Sequence, residues 1–344
     1  MDKNINIINI SSSQEDAFSN NVNNENRNLI VLCPPSVKNS YYKKYFNELV
    51  DFYISYTNII INRDNIIIII DKLTISYYKD KIPNDIILLE VVDDIWIRDF
   101  STVFPKNPLL FNYKAKYLGG NQGREIQDSF KKIIKKYSLQ VNETNIALDG
   151  GNFVDNGVDS AIITDRIFID NKNMKEDDII KEIKEKTGLK HISIIPSEIG
   201  DKIAHSDGMV SFLDRDNLLI TDYSNQPEFK NLVDKAIKRD ISDKIKMDEV
   251  INCGTDKEHD GFSSAEGIYV NSLVTNNYIY MPTFGIKGDD EAFEKIKSKT
   301  AKEVIKIDVS KVCFLGGSLR CMSWQLVGEN SKKLIEAARK RIIK

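Results

Sequence analysis

A cysteine near the end of the chain is a candidate nucleophile. Cys321 follows a short glycine-hinged stretch, Phe314 to Arg320. A free cysteine is more often a small buried apolar residue, so Cys321 alone indicates little. A histidine and several carboxylates lie far upstream, and the partners of a catalytic thiol need to be neighbours in space rather than in sequence. The sequence therefore predicts a thiol-dependent enzyme in which Cys321 is the nucleophile.

Two polar clusters could supply the partners of this thiol. His205 and Asp207 lie two residues apart in a segment that reads as extended, so their side chains share one face. Asp149 ends an apolar stretch and is followed by two glycines, for which a simple turn is the ordinary explanation.

A third cluster, Asp93 to Asp99, joins carboxylates, an indole and a guanidinium within seven residues. This cluster could equally be a solvated turn that anchors Trp96 in the core and binds no ligand. Paired carboxylates and an aromatic face also suit a planar cation, which takes bidentate hydrogen bonds and sits over an indole ring. Trp96 and Asp99 are therefore candidates for contact with a guanidinium ligand.

Composition excludes several classes of protein. The 344 residues carry a formal charge of −3, which does not favour a nucleic-acid partner. Four cysteines without a CxxC pair, together with three histidines, give no zinc-binding spacing, so we expect no structural metal. The N-terminus lacks an apolar run after a basic start, so it is not a signal peptide. These observations predict a cytoplasmic protein with reduced thiols and no membrane partner.

The apolar pattern predicts a polar, flexible tail over residues 1–27 and a single catalytic domain over 28–344. Within that domain, units of hairpin, helix and strand recur about five times. The strand at 322–327 is expected to pair with the opening strand. The predicted elements are strand 28–33, helix 41–56, strand 65–71, hairpin 101–104/109–113, helix 124–137, strand 145–148, hairpin 152–155/160–169, helix 175–187, strand 191–195, hairpin 209–214/217–223, helix 226–239, strand 248–253, hairpin 269–274/278–281, helix 289–298, strand 303–309, strand 322–327 and helix 331–342.

The candidate residues fall close to one per unit. Asp99, Asp149, His205, Asn271 and Cys321 follow one another at separations of 50, 56, 66 and 50 residues. Equivalent positions in a closed ring of units converge on the central axis. The spacing therefore predicts one polar pocket that collects a residue from every unit.

Five ordered motifs resemble the agmatine deiminase and bacterial-type peptidylarginine deiminase family of the guanidine-modifying superfamily. They are Trp96-Ile-Arg-Asp99, Asp149-Gly-Gly-Asn152, His205-Ser-Asp207-Gly208, Tyr269-Val-Asn271 and Gly316-Gly-Ser-Leu-Arg-Cys321. The resemblance covers roughly residues 28 to 330. It implies an α/β fold, the five-bladed β/α propeller called the pentein fold, with pseudo-repeated hairpin-helix-strand units.

The resemblance also implies roles for individual residues. Cys321 would attack the central guanidinium carbon to give a covalent thiouronium, and His205 would move protons, oriented by Asp149. Asp99 and Asp207 would hold the guanidinium, and no metal or cofactor would be needed. Trp96, Asn271 and Arg124 are further candidate substrate contacts. Two positions depart from that family's usual pattern, because Asp149 stands where it carries Glu and Arg320 stands where it carries His.

The expected reaction is hydrolytic deimination of a small guanidino compound, with agmatine giving N-carbamoylputrescine and ammonia. The alternatives are an arginine or peptidylarginine deiminase giving citrulline, in which Arg124, Lys114, Lys116 or Arg320 would bind the substrate carboxylate. An amidinotransferase and a non-catalytic guanidinium-binding protein are more distant alternatives. The sequence does not decide whether the protein forms a homodimer. It also does not decide whether the loop 254–267 covers the substrate or simply lies on the surface.

Overall fold

The computed structural model describes residues 28–119, 121–198 and 200–340, and it has an α/β fold. The tail predicted over 1–27 lies outside the described residues. The chain opens with a parallel sheet around the strand Leu29–Leu32. Its elements are β1 (Leu29–Leu32), α1 (Phe46–Ile60), β2 (Asn65–Ile69) and β3 (Ile87–Leu88). Parallel strands are covered on both faces, and β1 and β2 accordingly read as almost unbroken apolar runs that are fully buried.

Four further units and a closing strand follow. The remaining elements are α2 (Ile97–Phe100), β4 (Leu109–Asn112), α3 (Gln122–Lys136), β5 (Asn142–Ala147), β6 (Val154–Asp155), β7 (Ser160–Thr164), α4 (Arg166–Asp170), α5 (Glu176–Thr187), β8 (His191–Ile195), β9 (Val210–Phe212), β10 (Asn217–Thr221), α6 (Pro227–Asp240), β11 (Lys246–Val250), β12 (Glu258–His259), β13 (Phe262–Ser263), β14 (Leu273–Val274), β15 (Tyr278–Thr283), α7 (Gly288–Lys297), β16 (Glu303–Asp308), β17 (Ser323–Leu326) and α8 (Gly328–Arg339).

Four sheets share one pattern of strand pairing, and the two-stranded sheet β4-β5 keeps its parallel half. A central strand pairs antiparallel with one neighbour and parallel with a strand that follows the next helix. This pattern holds for β6-β7-β8, β9-β10-β11 and β14-β15-β16. In the first sheet β17 supplies the antiparallel neighbour of β1, as the sequence predicted. The sheets stay separate, and the described residues form no single closed sheet.

Alternate side chains of one strand explain why neighbouring units lie side by side. Successive residues of a strand point to opposite faces of its sheet. In β7, Ile163 packs in a core with Ile146 of the preceding unit. The adjacent Ile162 packs in a different core with Ile220 of the following unit. Each sheet is thus held between the units before and after it in sequence.

The element order predicted from sequence is confirmed, with corrections at three boundaries. The hairpin predicted over 101–113 is reduced to a single antiparallel bridge between Val103 and Leu109, because Pro105 and Pro108 interrupt the connection. The strand predicted to reach Ile169 ends at Thr164, and α4 follows, with Arg166 paired to Asp170 across one helical turn. The strand predicted to run to 253 ends three residues earlier.

Four short elements were not predicted: β3, α2 and the hairpin of β12 and β13. Among the described residues, the structure contains no helix with the length and apolar character needed to cross a membrane.

Candidate active site

The Cys321 side chain is held by an amide from the preceding sheet. Asn271 Nδ2 lies 3.2 Å from Cys321 Sγ, and Asn271 Oδ1 accepts from the Cys321 backbone N–H at 3.4 Å. Ser318 Oγ donates to the same Oδ1 at 2.9 Å, which fixes the orientation of the amide. Asp207 Oδ2 lies 3.6 Å from Sγ on the other side. The thiol therefore has one fixed position between an amide and a carboxylate.

The glycines before Cys321 make room for Trp96. A Cβ atom at position 317 would lie 2.5 Å from the Trp96 ring and 3.0 Å from the Cys321 Cβ. Only glycine allows the indole to pack against the segment that carries the cysteine. The sequence Gly316-Gly317 thus places an aromatic face directly beside the nucleophile.

His205 lies between two carboxylates. Its Nε2 is 3.3 Å from Asp149 Oδ2, and its Nδ1 is 3.8 Å from Asp99 Oδ1. The Gly151 backbone N–H donates to Asp99 Oδ1 at 3.1 Å, and a Cβ at Gly151 would lie only 2.5 Å from His205 Nδ1. The Asp-Gly-Gly sequence is therefore more than a turn, because its second glycine permits this close approach.

These contacts determine the charge on the imidazole. Burial by itself lowers the pKa of His205, but the charges of Asp99 and Asp149 outweigh burial and raise that pKa to about 9. The imidazole is consequently protonated at neutral pH and can act as a proton donor.

The pKa values of Asp99 and of the Cys321 thiol are raised as well, and for these acids a raised pKa favours the neutral form. Burial raises the pKa of Asp99 to about 7; the charge of His205 opposes this rise, and the carboxylates of Asp149 and Asp207 add to it. Burial also raises the pKa of the Cys321 thiol well above its ordinary value, and the charges of Asp207 and Asp99 raise it further. An additional positive charge beside Asp99 and Asp207 would favour the ionised forms of Asp99 and of the Cys321 thiol.

Asp207 is neutralised from behind by an arginine. Arg320 Nη1 lies 2.8 Å from Asp207 Oδ2, and Arg320 Nη2 donates to the Phe153 carbonyl at 2.6 Å. Both side chains are buried, and a buried carboxylate needs such a partner. The sequence made Arg320 a candidate for binding a substrate carboxylate, but its guanidinium is already paired with Asp207. The Arg320–Asp207 pair joins residues 113 positions apart, so the spacing along the chain gave no signal for it.

Two connected cavities meet at Cys321. They measure about 390 and 430 Å³, and both are lined by His205, Phe262 and Cys321. We call the first the aromatic lobe. Its lining includes Tyr41, Tyr42, Trp96, Tyr113, Tyr117, Asp93, Asp94, Asp99 and Asp260. We call the second the polar lobe. Its lining includes Glu198, Asp201, Lys202, Asp207, Glu258 and Asn271.

The two lobes differ in their charged groups. No lysine or arginine lines the aromatic lobe within the described part of the chain. Of its acids, Asp94 accepts from the Tyr42 hydroxyl at 2.5 Å, whereas Asp93 and Asp260 are exposed to solvent. The polar lobe contains one lysine, Lys202, whose Nζ donates to a backbone carbonyl at 2.7 Å.

The loop 254–267 lines the site. It contains the hairpin of β12 and β13, and the Phe262 ring packs edge-on against Tyr117 with ring centroids 5.6 Å apart. Phe262 borders both lobes. The mixed polar composition of the loop did not indicate this hairpin.

The structure brings most of the residues predicted from sequence to one place. Cys321, His205, Asp99, Asp207, Asn271 and Trp96 line one or both lobes. Asp149 lies behind His205 and lines neither lobe. Arg124 is exposed on α3 and is absent from the described lining of both lobes. Ser318, Phe262 and the tyrosines were missed, because an isolated serine, phenylalanine or tyrosine is usually explained by packing.

Comparisons with known proteins identify the family of this chain. The family described as Porphyromonas-type peptidyl-arginine deiminase matches residues 22–326. A Mycoplasma mycoides protein, named provisionally as an agmatine deiminase, is 20% identical over 315 residues that span 79% of this chain and 86% of the relative.

Solved structures of agmatine deiminases share the fold. The enzyme from C. jejuni superposes with a TM-score of 0.71 at 18% identity, over 88% of this chain and 94% of that one. The enzyme from Enterococcus faecalis gives a TM-score of 0.72 at 14% identity, over 88% and 93%. At these identities the likeness concerns the fold alone, whereas the family match covers most of the sequence. The chain therefore belongs to the Porphyromonas-type peptidyl-arginine deiminase family and is a hydrolase that acts on C–N bonds of guanidino groups.

Proposed function

We propose that this protein hydrolyses agmatine to N-carbamoylputrescine and ammonia through a thiouronium intermediate on Cys321. The guanidinium lies between the Asp99 and Asp207 carboxylates, with its plane against the Trp96 indole. Two carboxylates hold a planar cation by charge-assisted hydrogen bonds, and the indole face adds a cation–π contact. Asn271 contacts Sγ and keeps the thiol aimed at the guanidinium carbon.

Substrate binding itself activates the thiol. The free site combines a thiol whose pKa is raised with a protonated His205 and an acidic wall. A guanidinium placed between Asp99 and Asp207 offsets the negative charges that raise the thiol pKa, so Cys321 can lose its proton. Ionisation of the nucleophile is thus coupled to the arrival of a cationic substrate.

The first half of the reaction forms a C–S bond and releases ammonia. The thiolate adds to the guanidinium carbon and gives a tetrahedral intermediate. His205 donates its proton to one nitrogen, the C–N bond breaks, and ammonia leaves an S-alkylthiouronium. The pKa near 9 suits this step, because His205 carries the proton at neutral pH.

The second half consumes water. Neutral His205 takes a proton from a water molecule, and the resulting hydroxide adds to the thiouronium carbon. The C–S bond then breaks, which restores the thiolate and yields the ureido product. Asp149 orients the imidazole through its contact with Nε2 and stabilises the imidazolium.

The negative charge of the aromatic lobe is the observation that favours agmatine as the substrate. Asp93 and Asp260 are exposed acids on its lining, and the described lining provides no lysine or arginine. Agmatine ends in an ammonium, which those acids attract. Free arginine ends in an additional carboxylate, which they repel.

Arginine deimination is the second candidate, and Lys202 of the polar lobe favours it. An arginine that extended into this lobe could place its carboxylate on the Lys202 ammonium. Replacing Lys202 by Ala should then lower turnover of arginine and leave turnover of agmatine unchanged.

The deciding experiment compares agmatine, arginine and an arginine-containing peptide in parallel. Ammonia and the ureido product are measured together, and kcat/KM is determined for each compound. We expect kcat/KM for agmatine to exceed that for arginine at least about 100-fold, since each misplaced charge costs several kcal/mol. A preference for arginine or for the peptide would overturn the choice of agmatine, and an amine product in place of the ureido compound would indicate amidino transfer.

The same proposal extends to the overall architecture. The four similarly paired sheets and the β4-β5 sheet form a five-bladed β/α propeller of the pentein type, with the site at its centre and residues 28–344 as a single catalytic domain. The substrate role of Arg124, the cytoplasmic location and a homodimer stay predictions.

A further inference from the structure

A separate cavity lies on the far side of the Arg320–Asp207 pair. It measures about 380 Å³, and its described lining shares no residue with either lobe. Arg320 lines this cavity, whereas its partner Asp207 lines the polar lobe. The ion pair therefore forms part of the wall between the two compartments. We call this compartment the rear cavity, and no step of the proposed reaction uses it.

The feature of the rear cavity that needs explaining is Arg98. This side chain is 3% exposed, yet no carboxylate of the described residues lies within ion-pair distance of it. Its Nε donates to the Arg320 carbonyl at 3.5 Å and its Nη2 donates to Gln325 Oε1 at 3.3 Å. Within the described chain, Nη1 has no acceptor.

The charge of Arg98 is offset only in part, by the more distant carboxylates of Asp155 and Asp207. Burial, together with the neighbouring charge of Arg320, lowers the pKa of Arg98 to about 9. An isolated buried charge is costly, and proteins normally pair it. A guanidinium with free N–H groups at the wall of a cavity is suited to receive an anion.

Other lining residues add to this positive charge. Lys302 is half-buried, and its Nζ donates to the Thr275 carbonyl without a carboxylate partner among the described residues. Lys106 is exposed on the lining. The two acids of the lining offset only part of this charge: Asp155 interacts with Arg98 and Arg320, and Asp214 interacts with Lys302, but among the described residues neither acid is in ion-pair contact with Arg98 or Lys302. Asp214 accepts three hydrogen bonds within its own turn, and Asp155 accepts from the Gly157 N–H.

We propose that the rear cavity is a binding site for a small oxyanion, a phosphate or a short carboxylate, held by Arg98 and Lys302. The planar fork of Arg98 matches two oxygens of such a group, and the Lys302 ammonium supplies a point charge. A volume of about 380 Å³ accommodates a compact organic anion.

The test measures anion binding to the full chain without relying on turnover. Inorganic phosphate and succinate are titrated by calorimetry, with sodium chloride at matched ionic strength as the reference. We expect saturable binding of at least one of the two oxyanions and none of chloride. Comparing the two separates a phosphate site from a carboxylate site. An inactive preparation would still report the binding, so failure of the deiminase proposal would not obscure the result.

Matched variants locate the site. Lys302→Gln should weaken the oxyanion about tenfold, as expected for one charge-assisted hydrogen bond, and Lys302→Glu should abolish binding. Lys131→Gln, an exposed position on α3, makes the same change in charge away from the cavity and should leave the affinity unchanged. Arg98→Gln should abolish oxyanion binding if the variant folds. If it does not fold, the affinities of the Lys302 variants test the site.

A competition experiment separates the rear cavity from the substrate site. In Cys321→Ala, saturating agmatine should leave the oxyanion affinity unchanged, because the described linings of the two compartments share no residue. The proposal is overturned by an absence of saturable binding, by equal affinities of the wild type and Lys302→Glu, or by displacement of the anion by agmatine.

Discussion

The compartments on the two sides of the Arg320–Asp207 pair have opposite charge. The substrate side consists of the polar lobe, which Asp207 lines, and the connected aromatic lobe, which is lined by the carboxylates of Asp93, Asp94, Asp99 and Asp260. The rear cavity is lined by Arg98, Lys106, Lys302 and Arg320, with two carboxylates engaged in local hydrogen bonds. A pair of buried opposite charges, 2.8 Å apart, lies at the boundary.

In the proposed reaction, this difference lets the arriving substrate supply the positive charge that ionises the thiol. Arg320 pairs with Asp207 from the rear cavity and leaves the substrate side acidic, so a cationic substrate would lower the raised thiol pKa. On the two proposals above, the acidic side binds a guanidinium and the basic side binds an oxyanion, and the segregation of charge decides which ligand each compartment takes.

Disrupting the Arg320–Asp207 pair should have the largest effect, and the effect is on stability. Arg320→Gln leaves Asp207 buried without its partner, which costs about 3–5 kcal/mol in the free energy of unfolding. Denaturant unfolding of the two proteins, monitored by circular dichroism, measures the difference.

The matched control for Arg320→Gln removes the other charge as well. The double variant Arg320→Gln/Asp207→Asn should recover most of the lost stability while remaining inactive, because no unpaired charge is left in the interior. Equal stability of Arg320→Gln and the wild type would show that the pair does not separate the compartments energetically.

Neutralising the acidic side should reduce catalysis without unfolding the protein. Asp99→Asn removes one of two carboxylates that hold the guanidinium, with a loss of about 2–5 kcal/mol in transition-state binding. This corresponds to a fall in kcat/KM of about 30-fold to several thousand-fold. The melting temperature should not fall, since Asn replaces a carboxylate whose ionised form the site disfavours. Normal kcat/KM in this variant would refute the role of Asp99.

The pH dependence of kcat/KM is the smallest of the expected effects. Asp99 must be ionised to bind a cation, and its pKa is about 7, so kcat/KM should rise as pH increases through about 7. His205 must be protonated to release ammonia, and its pKa is about 9, so kcat/KM should fall above about pH 9. Steady-state kinetics from about pH 6 to about pH 10 will record both limbs. A profile that keeps rising through pH 9 would contradict the acid role of His205.

Local signals in the sequence were sufficient for the element order and for most of the site. Apolar runs such as Ile66 to Ile70 and the turn residues between them located the strands and helices. Ordered motifs around Asp99, Asp149, His205 and Cys321 identified side chains that the structure brings together, since each lies near the start of a repeated unit.

Features that depend on contacts distant in sequence could not be predicted. The pairing of Asp207 with Arg320 and the free guanidinium of Arg98 arise only when separate sheets meet. The hairpin at Phe262 lies in a polar loop that has no local apolar periodicity. Phe262 packs there against the ring of Tyr117, which is distant in sequence. Arg124 lies at the exposed beginning of a helix, and its residue type gave no indication of which way it faces.

The central claim is that Cys321 forms a covalent thiouronium with agmatine. The most direct measurement is intact-protein mass spectrometry after rapid acid quenching of the enzyme during turnover of agmatine, followed by peptide mapping. The account predicts a mass increase equal to agmatine less one ammonia, located on Cys321. Cys321→Ala should show neither the adduct nor turnover, while agmatine binding to it stays measurable. Turnover by Cys321→Ala, or an adduct on a different residue, would contradict the account.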